Sequence, residues 1–331
     1  MCLYPRLIRN RKYVANEKNK GNVPIPNDRR VLQVPVGCGK CIECKNQKSR
    51  SWNIRLQEEI KNHKQGYKHF ITFTFSTESL IKLRNEITGL KGYELDNEIC
   101  TRATRYFLER WRKKYKQSIK HWFVTELGSG KTEHVHIHGI IFLNVYKHKN
   151  LIGIALQYKL EQIKDIREKW GYGFVYVGDY VNESTVQYIV KYMTKTDLMH
   201  PNYNSKVLCS KGIGASYVKT AAAELNRQGQ DYYKASNGKE INLPTYYRTK
   251  LYNDETRETL WLKLLDKEER YVLGSRISVK NDYSKYWEAV KHARQKNKRL
   301  GYGNDEKDWS KIQYENELRE IKFAERLGRE K

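Results

Sequence analysis

A chain of 331 residues holding 63 Lys and Arg against 38 Asp and Glu carries a net charge of +25 and a pI near 9.6. A charge of that size draws polyanions, and a domain above pI 9 has the electrostatic footprint of a nucleic-acid-binding protein. Mean hydropathy is −0.84, no run approaches the ~18 apolar residues that span a bilayer, and the N-terminus has no signal-peptide core. The expectation is therefore a protein without membrane association, at work in the cytoplasm of a cell.

Residues 1–45 hold four of the six prolines and read as irregular. Within them, Cys38, Cys41 and Cys44 crowd into seven residues, with Cys2 upstream. That is a poor disulfide framework for a chain this long, whereas C-x-x-C spacing suits thiolate ligands of a structural Zn²⁺. A reduced, metal-free loop is the other reading. Cys100 and Cys209 read as small core residues.

A helix is predicted from Ser51, where Trp52, Ile54, Leu56 and Ile60 recur among charges, then a strand over His69–Ser76. Residues 97–116 predict a basic amphipathic helix, with Ala103, Tyr106, Phe107, Trp111 and Tyr115 on its apolar side. Arg102, Arg105, Arg110 and Arg112 on this helix read as a phosphate-tracking surface or, equally, as a solvated charged face. Strands over 121–127 and 134–144 flank Gly128-Ser129-Gly130-Lys131, a good hairpin turn, so they are expected to pair antiparallel. A helix over 156–170, a strand over 173–177 and a helix over 184–194 follow. Beyond His200 loops and short helices are expected, and over Lys285–Lys331 a highly charged segment, helical and partly disordered. Helices alternating with strands, two of which form a hairpin, indicate an α+β fold with a mainly antiparallel sheet.

The chemistry concentrates in two places. His134-Val135-His136-Ile137-His138 puts three imidazoles on one face of a strand, where they can serve one ion or simply line a solvated face. Glu126, on the neighbouring hairpin strand, can complete a two-histidine, one-carboxylate set suited to Mg²⁺ or Mn²⁺, or pair with nearby lysines. On the later helix Tyr188, Lys191, Tyr192 and Lys195 fall at i, i+3, i+4 and i+7, opposite a stripe of Val186, Ile189, Val190 and Met193. A lysine beside a phenol favours the phenolate that a tyrosine nucleophile needs. Exposed tyrosines on an amphipathic helix are the plainer alternative.

In one basic chain, the threonine-bearing strand Ile71-Thr72-Phe73-Thr74-Phe75, then His136-Ile137-His138, then the two-tyrosine helix resemble the HUH endonucleases of the rolling-circle replication-initiator type. The Cys-Leu-Tyr-Pro start, the Cys38–Lys45 cluster and His138-Gly139-Ile140-Ile141-Phe142 are similar to the initiators of gokushovirus-like microviruses. The resemblance covers roughly residues 1–200. It implies a Cys-rich segment over 1–50, an HUH endonuclease core over 51–200 and a basic C-terminal region over 201–331. It further implies that His136, His138 and Glu126 hold Mg²⁺ or Mn²⁺, with His134 outside the motif, and that Tyr188 and Tyr192 attack single-stranded origin DNA, assisted by Lys191 and Lys195. The product is a 5′-phosphotyrosine and a free 3′-OH. No G-x-x-x-x-G-K-[ST] phosphate loop occurs, so a host helicase and a host polymerase in a bacterial cytoplasm are the expected partners. A non-catalytic, zinc-containing nucleic-acid-binding regulator is the alternative.

Overall fold

The computed structural model describes residues 2–128, 133–145, 152–194, 200, 202–302 and 319. The chain divides into two compact units. One joins Met1–Ser51 to Tyr217–Lys307; the other joins Trp52–Ser216 to Asp308–Lys331.

The first unit opens with β1 (Arg6–Arg9) and β2 (Gln33–Val36), paired antiparallel with Arg6 opposite Val36. Part of the segment expected to be irregular is thus a small sheet, and Pro35 is accommodated because the pair has no further strand to receive its missing N–H. Helix α1 (Ile42–Lys61) starts ahead of the expected Ser51, directly after Cys41. Its first turn, Ile42-Glu43-Cys44-Lys45, carries no breaker, and Asn297 accepts a hydrogen bond from the Ile42 N–H at 2.8 Å.

The second unit follows with β3 (Lys68–Phe73), α2 (Thr77–Asn85), α3 (Gly92–Tyr115), β4 (Lys120–Leu127), β5 (Val135–Phe142), α4 (Ile152–Trp170), β6 (Val175–Gly178), α5 (Glu183–Val190) and β7 (Val207–Cys209). The chain then returns to the first unit with α6 (Ala221–Arg227), β8 (Tyr232–Lys234), β9 (Glu240–Asn242), α7 (Thr245–Leu251), α8 (Asp254–Asp266), β10 (Glu269–Val272), β11 (Ser275–Ser278) and α9 (Ser284–Arg299).

The second unit is α+β, built on a five-stranded antiparallel sheet of order β6-β3-β5-β4-β7 with helices on both faces. The hairpin pairing of β4 with β5 is as expected; the turn residues Ser129–Lys131 lie outside the described residues. Strand alternation sorts the side chains. Ile71, Phe73, Phe123, Ile137, Ile141, Val175 and Val177 enter one cluster with Phe107 and Trp111 of α3 and Ile166 and Trp170 of α4. Trp122, Val124, Ile140 and Phe142 enter the other, with Leu56 and Ile60 of α1 and Val186, Ile189 and Val190 of α5. β7 escapes sequence reading because it is three residues long, and its Cys209, expected in the core, is exposed at the sheet edge.

Glu59, 2% exposed, ties this layer together. It meets His63 at 2.7 Å and Lys120 at 2.6 Å and accepts the buried Gly214 N–H at 2.7 Å. Burial pushes its carboxyl up, yet these three partners together outweigh burial and hold it at about 2, against an ordinary 4.5. Because the folded value is depressed, the stabilisation is present in full above about pH 4.5 and fades as pH falls through about 2. Glu59→Gln is expected to cost about 3 kcal/mol at neutral pH. Thermal melts at pH 7 and pH 3 should show the gap between wild type and variant closing at the lower pH. At Gly139, a Cβ would collide with the Trp122 carbonyl and the Phe123 ring and backbone. Gly139→Ala should cost about 3 kcal/mol or more by the same melts.

Candidate active site

The three central strands of the second unit place the polar residues by register. Glu126 of β4 is the direct partner of His136 of β5, and Thr72 of β3 is the direct partner of His138. Alternation puts all four on the face that carries Trp122, Ile140 and Phe142 further along. His134 precedes the strand and lies 3.5 Å from the Thr77 hydroxyl.

His138 is held from several sides. Its Nε2 pairs with Glu126 at 2.9 Å, its Nδ1 meets the Thr72 hydroxyl at 3.0 Å, and the Tyr192 ring stacks on it at 4.5 Å and 10°. Thr72 was part of the threonine strand in the sequence but had no assigned role; the register opposite His138 is the signal that reveals it. His136 is turned toward Gly128, where a Cβ would come within 2.8 Å of its ring. Burial lowers its basicity, the neighbouring His138 adds to this and Glu126 opposes it, so the net shift favours the neutral, lone-pair-bearing imidazole.

Helix α5 starts in a capping box, in which the Asn182 side chain accepts the Thr185 N–H at 2.9 Å. Val186, Ile189 and Val190 bury against the sheet, and Met193 follows them. The α-helix ends at Val190, and Lys191–Met193 tighten into a 3-10 turn, so the expected single α-helical face stops short. Tyr188 and Tyr192 nonetheless meet, the Tyr192 hydroxyl donating to Tyr188 at 2.6 Å. Tyr188 is 51% exposed and packs edge-on to Phe70 at 6.1 Å.

Lys191 is exposed, and Lys195 lies outside the described residues. For Tyr192, burial raises the hydroxyl first, and the bond with Tyr188 and the charge of Glu126 raise it further.

The donor set of Glu126, His136 and His138 is of the type that holds a borderline or hard divalent cation, and all three side chains share one face. Their ligand atoms are not drawn as close as those of a second group. Among the described residues, the group whose ligand atoms all lie within 4.8 Å of one another is Cys2, Cys38, Cys41 and Cys44, in the first unit. Cys2 Sγ and Cys41 Sγ are 3.9 Å apart, close to the roughly 3.8 Å edge of a tetrahedron with 2.3 Å Zn–S bonds. The hydrogen bond between Cys44 and Cys41 lowers the Cys41 thiol and raises that of Cys44, so the two share one proton unequally. The four thiols can bind a metal ion such as zinc. They pack with Leu3, Val272, Val279, Tyr286, Val290 and Ala293, so elements near both ends of the sequence surround them.

The four arginines of α3 are not equivalent. Arg102 donates to the Glu86 carbonyl at 2.8 Å, and Arg110 donates to the carbonyls of Lys169 and Trp170 at 2.7 and 2.8 Å. Arg105 and Arg112 are exposed. All four ride on a helix that packs against the sheet face opposite the histidines.

Residues 68–197, from the start of β3 to just beyond the tyrosine turn, match the model of the replication-associated protein ORF2 family. Over 290 residues the chain is 24% identical to the replication-associated protein ORF2 of Spiroplasma virus 4, covering 83% of this chain and 87% of that one. No solved structure matches. No helix of the described residues is long and apolar enough to cross a membrane. The protein is thus similar to replication-associated proteins, through a match that spans the histidine strand and the tyrosine helix and through a viral relative that parallels most of the chain.

Proposed function

We propose that the protein is a metal-dependent single-strand DNA nickase and strand transferase that starts rolling-circle replication at a viral origin. One observation carries the reading. Two tyrosine hydroxyls 2.6 Å apart stand beside the Glu126–His138 pair and His136 at one end of a sheet face, inside the region that matches replication-associated proteins. Residues 51–200 then form the endonuclease core.

Glu126, His136 and His138 would hold Mg²⁺ or Mn²⁺, which when bound supplies a Lewis acid for an oxygen of the scissile phosphate. Thr72, facing His138 Nδ1, keeps Nε2 turned to that position. Tyr188 is the better first nucleophile. Its ring is half exposed and open to a strand, whereas burial, the bond to Tyr188 and the charge of Glu126 hold the Tyr192 hydroxyl protonated. The Tyr188 hydroxyl gives up its proton to solvent as its oxygen attacks phosphorus and forms an ester with the 5′ end. The 3′ oxygen leaves, takes up a proton and becomes the primer end for a host polymerase. The phosphotyrosine ester retains the energy of the broken bond, so rejoining needs no nucleotide. Once Tyr188 is esterified, Tyr192 is free for the second cut that releases a circle. Lys191 and Lys195 steady the phosphate. Arg105 and Arg112 track the strand away from the cut, and a host helicase opens the duplex. In the first unit Cys2, Cys38, Cys41 and Cys44 would hold a structural Zn²⁺ that ties the N-terminal segment in place.

Incubation with single-stranded origin DNA and Mn²⁺ should yield a covalent adduct on a denaturing gel. Tyr188→Phe is expected to lower the first adduct by more than about 1,000-fold. Tyr192→Phe should leave that adduct but remove the circular product, and the double variant should do neither reaction. DNA binding with no adduct under any divalent ion would instead favour the regulator. Metal analysis should find one zinc per chain, lost in Cys41→Ser, with the first unit becoming protease-sensitive because structural zinc contributes folding energy outright.

A further inference from the structure

β6 is an edge of the five-stranded sheet, and its outward side chains are unusual for an edge. Val175 and Val177 are buried in the core, while Phe174, just ahead of the strand, is 71% exposed and Tyr176 is 52% exposed; Tyr180, beyond it, is 65% exposed. Edge strands are ordinarily blunted with charge, proline or cover. A phenylalanine ring left in water gains nothing for the fold, and a cluster of such rings marks a binding surface.

Tyr176 is continuous with the candidate active site. Tyr176 is the register partner of Thr72, which is in turn the partner of His138, so Tyr176 stands two strand spacings, about 10 Å, from the histidine. Phe70 bridges them on the same face. It meets Tyr176 at 6.1 Å, Tyr188 at 6.1 Å and His138 at 6.3 Å. Gly178, the partner of Phe70, leaves the Tyr176 ring room to lean across; a Cβ there would come within 3.3 Å of it.

We propose that Phe174 and Tyr176 form a base-stacking subsite for the nucleotides flanking the scissile phosphate of single-stranded DNA, a reading that rests on the nickase function above. Two features favour a nucleic-acid strand over another protein chain as the occupant. The net charge of +25 attracts a polyanion and opposes docking of a second copy. Tyr176 also leads, through Phe70, to the tyrosine that would attack the strand, and Lys191, three residues further along the chain, is exposed. Duplex bases are already stacked on one another, so the subsite accepts unpaired bases only. Stacking needs just a π-face, so this subsite adds affinity and positions the strand without reading its sequence.

The test measures binding without cleavage, in EDTA, using fluorescence anisotropy and two probes of equal length and charge: an oligothymidylate and its abasic phosphodiester counterpart. The Phe174→Ala/Tyr176→Ala variant should bind oligothymidylate at least about tenfold more weakly while its weak affinity for the abasic strand stays unchanged. Phe174→Trp and Tyr176→Phe should bind as wild type. Unchanged oligothymidylate affinity overturns the proposal, as does an equal loss for both probes, which would report lost charge or lost folding. A wild type that is dimeric by light scattering, with a monomeric variant whose DNA affinity is unaltered, would overturn it in favour of a contact between copies. The readout is independent of the chemistry. Failure to form an adduct sinks the nickase reading and leaves the binding result standing, whereas adduct formation with an unaltered double variant sinks the subsite alone.

Discussion

The candidate site depends on the antiparallel register of β3, β5 and β4. Side chains on a strand alternate with a period of two, so a slip of one residue would carry His136 and His138 to the opposite face, away from Glu126, Thr72 and the tyrosine helix. Burial on both faces prevents that slip. Ile137 and Ile141 are needed in one apolar cluster, and Ile140 and Phe142 in the other. Gly139 permits the tight approach of β5 to β4 at the point where the polar and apolar stretches of the face meet.

The same face changes character along its length. At one end α1 and α5 cover Trp122, Ile140 and Phe142; at the other, cover runs out and the polar set begins. The apolar stripe of α5 fixes the helix, which sets Tyr192 over His138 and Tyr188 against Phe70. Polar groups gathered in this half-buried setting act on one another strongly, as Tyr192 shows. Burial opposes its ionisation first, and the hydroxyl it shares with Tyr188 and the charge of Glu126 oppose it further.

The first unit follows a different logic. Its apolar cluster is small, and it gathers Leu3 and Cys41 with Val272, Val279 and Val290, residues far apart in the chain. Closing such long connections is entropically costly, and a cluster of four thiols able to share one ion is an efficient way to hold them. Arg294, donating to the Leu3 carbonyl at 2.9 Å, and Asn297, at the start of α1, join the two segments by hydrogen bonds.

Local pattern was enough to determine the α+β class, the β4–β5 hairpin, the common face of His136 and His138, the neighbouring position of Glu126 and the buried stripe of α5, because each depends on periodicity or on a short connection. The Cys-x-x-Cys spacing likewise brought Cys38, Cys41 and Cys44 together on sequence alone. Tertiary structure decided what depends on partners distant in sequence. It supplied β7 and the strand order that makes β6 an edge, and the pairing of Thr72 with His138. It also determined the protonation bias of Tyr192, the exposure of Cys209, the engagement of Arg102 and Arg110 with backbone carbonyls, and the residues from 272 to 293 around the thiols. A side chain's periodicity is written in its neighbours along the chain, whereas its burial, its charge environment and its hydrogen-bond partner are set by segments that meet it only when the chain folds.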